Sequence, residues 1–253
     1  MVRDIGPLNS MDILGIDIGG SAIKAAPVNP ASGALTAERL RIETPRPATP
    51  AATADVVCQA VEHFKWTGPV GCGLPSVVRN GIACTAANID PGWIGTDVSE
   101  LFSARSGLNF NVLNDADAAG LAEMRFGAGR GFNGTAIVVT VGTGLGTALF
   151  HDQNLFPSTE LGHLQLYGKD AEQIASAAIR TELNLSYREW AKRFDAYLNL
   201  LENLFWPDLF IIGGEISRYH DEFFPYFHIK TAIAPAALRN DAGIIGAATS
   251  VLL

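Results

Sequence analysis

The chain is short of several things that define common protein classes. Only three of its 253 residues are cysteines, Cys58, Cys72 and Cys84, and none forms a C-x-x-C pair. A disulfide framework is therefore absent, and reduced thiols fit a cytoplasmic location. Charge is sparse at 17% of residues, and 18 Lys and Arg face 26 Asp and Glu, giving a net charge of −8. A broad basic surface that could displace counterions is missing, which excludes nucleic acid as a general partner. No apolar run is long enough to serve as a membrane span or a secretory signal, so no membrane partner is expected. Low-complexity tracts and solenoid periods are also lacking. Residues 1–10 have no periodicity and read as a disordered leader, with Met11 as an alternative start.

What is plentiful is glycine, with 26 residues in a chain that is 48% hydrophobic. Such a chain buries a substantial core unaided and belongs to the α/β class rich in tight turns. Alternation of β-branched residues predicts strands at 13–18 and 22–28 joined across Gly19-Gly20, with a third at 39–43. Thr49 and Pro50 start a helix that runs to about Phe64. Strands at 70–74 and 109–113 flank a Gly- and Pro-marked loop, 75–91. A helix at 116–125, a hairpin of 135–141 with 147–151, and helices at 171–180 and 186–206 follow. A buried strand at 209–212 then runs into Gly213-Gly214, and an apolar helix at 242–252 ends the chain. In the helix after Ser186, that residue and Glu189 make a capping box, and Trp190, Phe194, Tyr197, Leu198, Leu201 and Phe205 form a core stripe.

Two of the glycine turns share one pattern. In Asp17-Ile-Gly-Gly-Ser-Ala-Ile-Lys24, Asp17 at a strand end can hold hydrated Mg²⁺. Gly19, Gly20 and Ser21 can bring N–H and hydroxyl donors to a phosphate, with Lys24 adding charge. The plain alternative is a surface hairpin. In Val141-Gly-Thr-Gly-Leu-Gly146, the glycines around Thr143, including Gly142 and Gly144, leave its hydroxyl and neighbouring amides at a hairpin tip. Unlike a Rossmann loop, this turn opens no helix. Both in one chain point to phosphoryl transfer.

Between them, Asn114-Asp115 follows a strand, so Asp115 can accept the proton of an attacking hydroxyl while Asn114 orients the same substrate. An Asx cap explains either residue equally, and Asp117 reads as a favourable first-turn charge. Farther on, Glu160-Leu-Gly-His163 and then Glu172 offer two carboxylates and an imidazole to adjacent sugar hydroxyls. Zinc is rejected there, because no Cys or second His lies close in sequence.

Taken in order, these segments resemble the ROK family of sugar kinases, in the actin-like ATPase superfamily, from about Gly15 to Ala247. More narrowly, Thr85-Ala-Ala-Asn-Ile-Asp-Pro-Gly-Trp-Ile-Gly95, Leu113-Asn-Asp-Ala-Asp-Ala-Ala-Gly120, Trp206-Pro-Asp-Leu-Phe210 and Pro235-Ala-Ala-Leu-Arg239 are similar to the family's polyphosphate-using glucokinase branch. The resemblance implies a two-lobed actin-like (ribonuclease H-like) α/β fold with mixed sheets flanked by helices. The smaller lobe would span 11–113, with the C-terminal helix at about 242–253 packed back on it, and the larger lobe 114–241. It implies Asp115 as catalytic base and Asn88, Asn114, Glu160, His163 and Glu172 as sugar contacts. Residues 19–24 and 142–146 would bind phosphate, and Gly213 and Gly214 would lie on the donor side. Most relatives carry a cysteine-rich zinc motif before the second Glu, whereas Leu164-Gln-Leu-Tyr-Gly-Lys-Asp-Ala171 has none, which matches the zinc-free branch.

The expected reaction is phosphoryl transfer from inorganic polyphosphate, with Mg²⁺, to the 6-hydroxyl of glucose, in a cytoplasmic homodimer. An ATP-dependent or dual-donor glucokinase or glucomannokinase is the alternative. Gly213-Gly214-Glu215 departs from relatives that place a third glycine there, and a carboxylate at that point either disfavours a nucleotide or caps the next helix. A non-catalytic sugar sensor is a further reading. The family's repressors carry a DNA-binding module ahead of the first phosphate segment, and 16 residues precede Asp17 here. A polyanion needs cations, and Lys24, Arg79, Arg125, Arg130, Lys169, Arg218 and Arg239 are the candidates.

Overall fold

The computed structural model describes residues 12–253, so the expected leader and the alternative start at Met11 lie outside the described residues. Two compact units are formed, one by the chain up to Leu113 with Gly243–Leu253, the other by Asn114–Ala242.

In the first unit, β1 (Ile13–Ile18), β2 (Ala22–Val28) and β3 (Leu40–Glu43) make an antiparallel meander. Thr49 caps α1 (Pro50–His63) by accepting the Ala52 N–H, and Pro50 brings a preset φ to the first turn. The α1 residues Ala54, Val57, Ala60 and Val61 are buried in one core with Leu14 and Ile16 of β1. Each fully buried Val, Leu or Ile of this kind contributes about 1.5–3 kcal/mol. β4 (Val70–Leu74) pairs parallel with β1. A small hairpin of β5 (Val78–Arg79) and β6 (Ile82–Ala83) lies inside the segment expected to be loop. α2 (Val98–Ser106) and β7 (Phe110–Asn114) follow, and the sheet order is β3-β2-β1-β4-β7.

The second unit repeats the scheme. α3 (Asp115–Phe126) leads to β8 (Thr135–Val141), β9 (Leu145–His151) and β10 (Asn154–Phe156), an antiparallel meander. A two-stranded ribbon, β11 (Gln165–Leu166) and β12 (Lys169–Asp170), precedes α4 (Glu172–Ala175), α5 (Ala177–Glu182) and α6 (Tyr187–Phe205). β13 (Leu209–Gly213) pairs parallel with β8, and β14 (Ala232–Pro235) pairs parallel with β13, giving the order β10-β9-β8-β13-β14.

The single helix expected at 171–180 is two short ones. Ser176 between them is extended (φ −68°, ψ 163°), and its hydroxyl accepts the Ile179 N–H to cap α5. The Trp190 indole N–H donates to the carbonyls of Ala175 and Ser176 at 2.9 and 3.1 Å, which takes the Ala175 acceptor a continuous helix would offer to Ile179, while the Ser176 carbonyl also accepts the Arg180 N–H. Trp190 belongs to the buried stripe of α6, which opens with the capping box of Ser186 and Glu189. A tertiary hydrogen bond thus overrides local helix propensity.

The chain closes with α7 (Ala242–Ser250). This helix lies directly on the backbone of β1 and β4. A Cβ on Gly15 would stand 2.1 Å from the Ile244 carbonyl oxygen, and one on Gly71 1.8 Å from that of Ala247. Asn111 of β7 adds side-chain bonds to the Ser250 carbonyl and hydroxyl. No helix among the described residues is long and apolar enough to cross a membrane.

Candidate active site

The first glycine turn closes β1 against β2, where Ile18 pairs with Ile23 and Asp17 with Lys24. Lys24 Nζ lies 3.0 Å from Asp17 Oδ2, so the lysine expected to supply free charge is paired across the hairpin. The Asp17 carboxylate also rests at the start of α7, since a Cβ on Gly243 would stand 2.7 Å from its Cγ. Thr44 Oγ1 braces the turn by donating to the Gly19 carbonyl at 2.6 Å. Gly20 and Ser21 at the tip are exposed, and their amides make no hydrogen bond among the described residues. Asn88 lies in the exposed loop before the 3₁₀ turn Pro91–Trp93 of the same unit.

In the second unit four separate elements dock on one hairpin tip, Val141 to Gly146. Gly146 touches α3, for a Cβ there would stand 2.8 Å from Ala116 Cβ, next to Asp115. The 3₁₀ turn Leu161–His163 seats on β9, where a Cβ on Gly162 would meet the Leu145 carbonyl at 2.1 Å. The Ala178 N–H of α5 donates to the Gly142 carbonyl at 3.2 Å. Gly214, at φ 83°, sits against Val141, whose carbonyl a Cβ would approach to 2.1 Å. The tip itself is exposed at Gly142 and Thr143, and the amides of Thr143 and Gly144 make no hydrogen bond among the described residues.

Asn114 ends β7, and its Oδ1 accepts the N–H groups of Ala116 and Asp117 at 2.8 and 3.0 Å, so that oxygen serves as the α3 cap. Asp115, half-buried at the first position of α3, accepts the Ala116 N–H through Oδ1 at 2.8 Å. Asp117 is not the exposed first-turn charge that its position suggests. It is buried, Oδ2 accepts the Ser158 N–H at 2.8 Å, and Oδ1 has no partner among the described residues. Burial pushes its carboxyl up to about 7, against the pull of the Ser158 N–H and with help from the charge of Glu160.

Glu160, His163 and Glu172 stand together. Glu160 Oε2 is 3.5 Å from His163 Nε2, and His163 Nδ1 is 3.0 Å from Asp170 Oδ2. Burial raises the Glu160 pKa, the His163 charge opposes this, and Glu172 adds to it. Glu172 opens α4, and its charge also acts on the buried Tyr197. Carboxylates and an imidazole so arranged can accept from and donate to neighbouring hydroxyls. Asp170 is the member that sequence reading misses. The signal was Tyr167-Gly168, both at positive φ, a two-residue turn that folds β12 back on β11 and returns Asp170 to His163. Among the described residues no group of three or more His, Cys, Asp and Glu has the geometry to hold a metal ion.

Gly213 ends β13 beside Ala236, and Gly214 opens the 3₁₀ helix Glu215–Glu222, with Glu215 exposed in its first turn. Of the candidate cations, Lys24 and Arg79 belong to the first unit, and Arg125, Arg130, Lys169, Arg218 and Arg239 to the second.

The chain matches the model of the ROK family over residues 13–177. It is 46% identical over 235 residues to the polyphosphate glucokinase of Mycobacterium tuberculosis, covering 92% of this chain and 89% of that one. The structure is similar to that of the inorganic polyphosphate/ATP-glucomannokinase from Arthrobacter sp. strain KM, with a TM-score of 0.92 and 45% identity over 95% of this chain and 98% of that one. It is also similar to a ROK family glucokinase from Streptomyces griseus in complex with glucose and AMPPNP, with a TM-score of 0.82 and 26% identity over 94% and 98% of the two chains.

Proposed function

The chain belongs to the ROK family of kinases with the actin-like ATPase fold, and we propose that it transfers the terminal phosphoryl group of inorganic polyphosphate to the 6-hydroxyl of glucose, giving glucose 6-phosphate. The observation that carries this reading is the convergence on the tip at residues 141–146. The Asp115 end of α3, the Glu160–His163 turn and the Gly213-Gly214 turn all meet the same exposed glycine hairpin. A base, a set of sugar-binding groups and a donor-side turn around one phosphate loop are the parts that phosphoryl transfer to a hydroxyl requires.

In this reading Asp115 accepts the proton of the 6-hydroxyl as the bond to phosphorus forms, which contributes about 10²- to 10⁴-fold. Asn88, Asn114, Glu160, His163 and Glu172 hold the remaining sugar hydroxyls. The amides of Thr143 and Gly144 and the Thr143 hydroxyl receive the transferring phosphate, while the Gly142 N–H closes the turn by donating to the Gly144 carbonyl at 3.0 Å. Gly19, Gly20, Ser21 and Lys24 bind phosphate oxygens in the first unit, and Gly213 and Gly214 border the rest of the donor. Mg²⁺, when bound, neutralises donor phosphate charge. Asp17 suits it through water, because Mg²⁺ takes one or two carboxylates alongside phosphates, and only Oδ2 is engaged with Lys24. Zinc has no part, in keeping with the cysteine-free span 164–171. A cytoplasmic homodimer completes the proposal, and light scattering of the purified chain tests the dimer.

The second reading, a dual-donor enzyme that also takes ATP and mannose, is favoured by one observation: a structural relative 45% identical to this chain is named a polyphosphate/ATP-glucomannokinase. A two-by-two assay separates the readings, with polyphosphate or ATP as donor and glucose or mannose as acceptor. Glucose phosphorylation with polyphosphate in nucleotide-free protein supports the first, and activity with ATP alone moves the conclusion to an ATP-dependent glucokinase. Glucose binding without product from either donor makes the chain a sugar-binding protein.

A further inference from the structure

Among the described residues of the second unit, Arg180 is the cation that buries a side-chain nitrogen without giving it a partner. Among the described residues the Arg180 guanidinium makes no ion pair or hydrogen bond, and its Nε is buried without a partner. It is nonetheless held in place. Its central carbon lies 3.8 Å from the centroid of the Tyr187 ring. That ring is stacked on the fully buried Phe223 at 6.0 Å and 25°, and lies 5.7 Å from Tyr219. Stacking of this kind fixes the plane of an arginine and leaves its edge donors available.

The position of this column is set by the hairpin tip. α5, which carries Arg180, starts against Gly142 through the Ala178 N–H. The 3₁₀ helix that carries Tyr219 starts at Gly214, against Val141. Two walls therefore leave from consecutive residues of β8 and its turn, and meet again where Arg180, Tyr187 and Tyr219 stack. The sugar turn docks at Leu145, on the other arm of the hairpin. The walls bearing Arg180 thus lie on the donor side of the turn.

We infer that Arg180 selects the donor: its guanidinium binds a phosphate of the chain beyond the transferred one, and it covers the face of Tyr187 on which a nucleoside base would otherwise stack. The inference rests on the proposed function and deepens it, since it names what recognises the rest of the donor. The walls also carry Glu215 and Glu222, the latter near enough for its charge to act on Tyr187. A polyanion passing these carboxylates needs a fixed cation, and a planar fork of N–H donors matches phosphate oxygens better than an ammonium does.

The test compares wild type, Arg180→Gln and Arg180→Lys, with steady-state constants for polyphosphate and for ATP at low and high salt. Arg180→Gln is expected to raise the polyphosphate KM about tenfold or more, the loss of one charge-assisted contact. The ATP KM should fall, because the Tyr187 face is uncovered, the glucose KM should stay within about threefold, and the salt dependence of the polyphosphate KM should become shallower. Arg180→Lys keeps charge and stem but loses the fork, so it folds even where the Gln variant does not, and should raise the polyphosphate KM several-fold. An unchanged polyphosphate KM, or equal losses with both donors, overturns the inference while the proposed function stands. Wild-type protein inactive with polyphosphate sinks both together.

Discussion

The turn between β1 and β2 and the turn between β8 and β9 hold the same place in two sheets of the same strand order, but they obtain their charge in opposite ways. The first carries its own: Asp17 and Lys24 face each other at 3.0 Å just below Gly19. The second has no charged residue between Thr135 and Phe150. Its acids and bases arrive on elements docked around it, Asp115 beside Gly146 and Glu160 to His163 beside Leu145. A turn of the first kind is damaged by changing its own side chains. A turn of the second kind is damaged by disturbing whatever packs against it.

The largest effect that probes this difference is expected at a borrowed group. Asp115→Asn should lower kcat by about 10²- to 10⁴-fold, with glucose binding retained in calorimetry. Undiminished turnover removes Asp115 from the role of base. Next come paired glycine substitutions. Gly162→Ala drives a methyl into the Leu145 carbonyl at 2.1 Å and should displace the sugar turn. The glucose KM should then rise about tenfold, the scale of a misplaced contact. Gly142→Ala meets nothing within 4 Å, so it should leave folding and the glucose KM intact while weakening the donor. Equal consequences for both variants erase the distinction between docking and tip.

A smaller effect lies in the stability of the second unit. The Asp117 carboxyl is raised from 3.8 to about 7 in the folded chain. Between those values the folded state holds a proton that the unfolded state has lost, so stability falls as pH rises from about 4 to about 7 and levels off above. Asp117→Asn should flatten that slope, seen as a change of a few degrees in the difference between melting temperatures at pH 5 and pH 8. The smallest effect belongs to Lys24→Met. The pair it breaks is partly exposed, with side chains 27% and 15% accessible. Stability should therefore change by less than about 1 kcal/mol, while the donor KM rises, the mark of a turn that carries its own charge. A changed glucose KM with an unchanged donor KM contradicts that assignment.

Much of this was legible wherever a local signal sets the structure. Thr49-Pro50 and Ser186 with Glu189 announce α1 and α6 because caps act within one turn of chain. The two glycine hairpins were visible because β-branched strands flank them. α2 was not, although Asp97 caps it and Gly107 ends it at φ 75°. It buries only Val98 and Phe102, too short a stripe to register as periodic. β14 escaped notice because four residues ending in Pro235 make no pattern. In the site, residue type was readable and circumstance was not. Nothing local tells that Asp117 is buried or that Trp190 would break a helix 14 residues upstream, whereas the Asx cap open to Asn114 or Asp115 was legible and falls to the Asn114 oxygen. Asp170 and Arg180 take their surroundings from tertiary structure, from a ribbon folding back and from an aromatic stack.

The most direct test of the central claim is glucose 6-phosphate formation by nucleotide-free purified protein given glucose, Mg²⁺ and inorganic polyphosphate, with the Asp115→Asn variant in parallel. Sustained product from polyphosphate in the wild type, lost in the variant, is the expected result. Product from ATP but none from polyphosphate, or equal rates in the two proteins, contradicts the account.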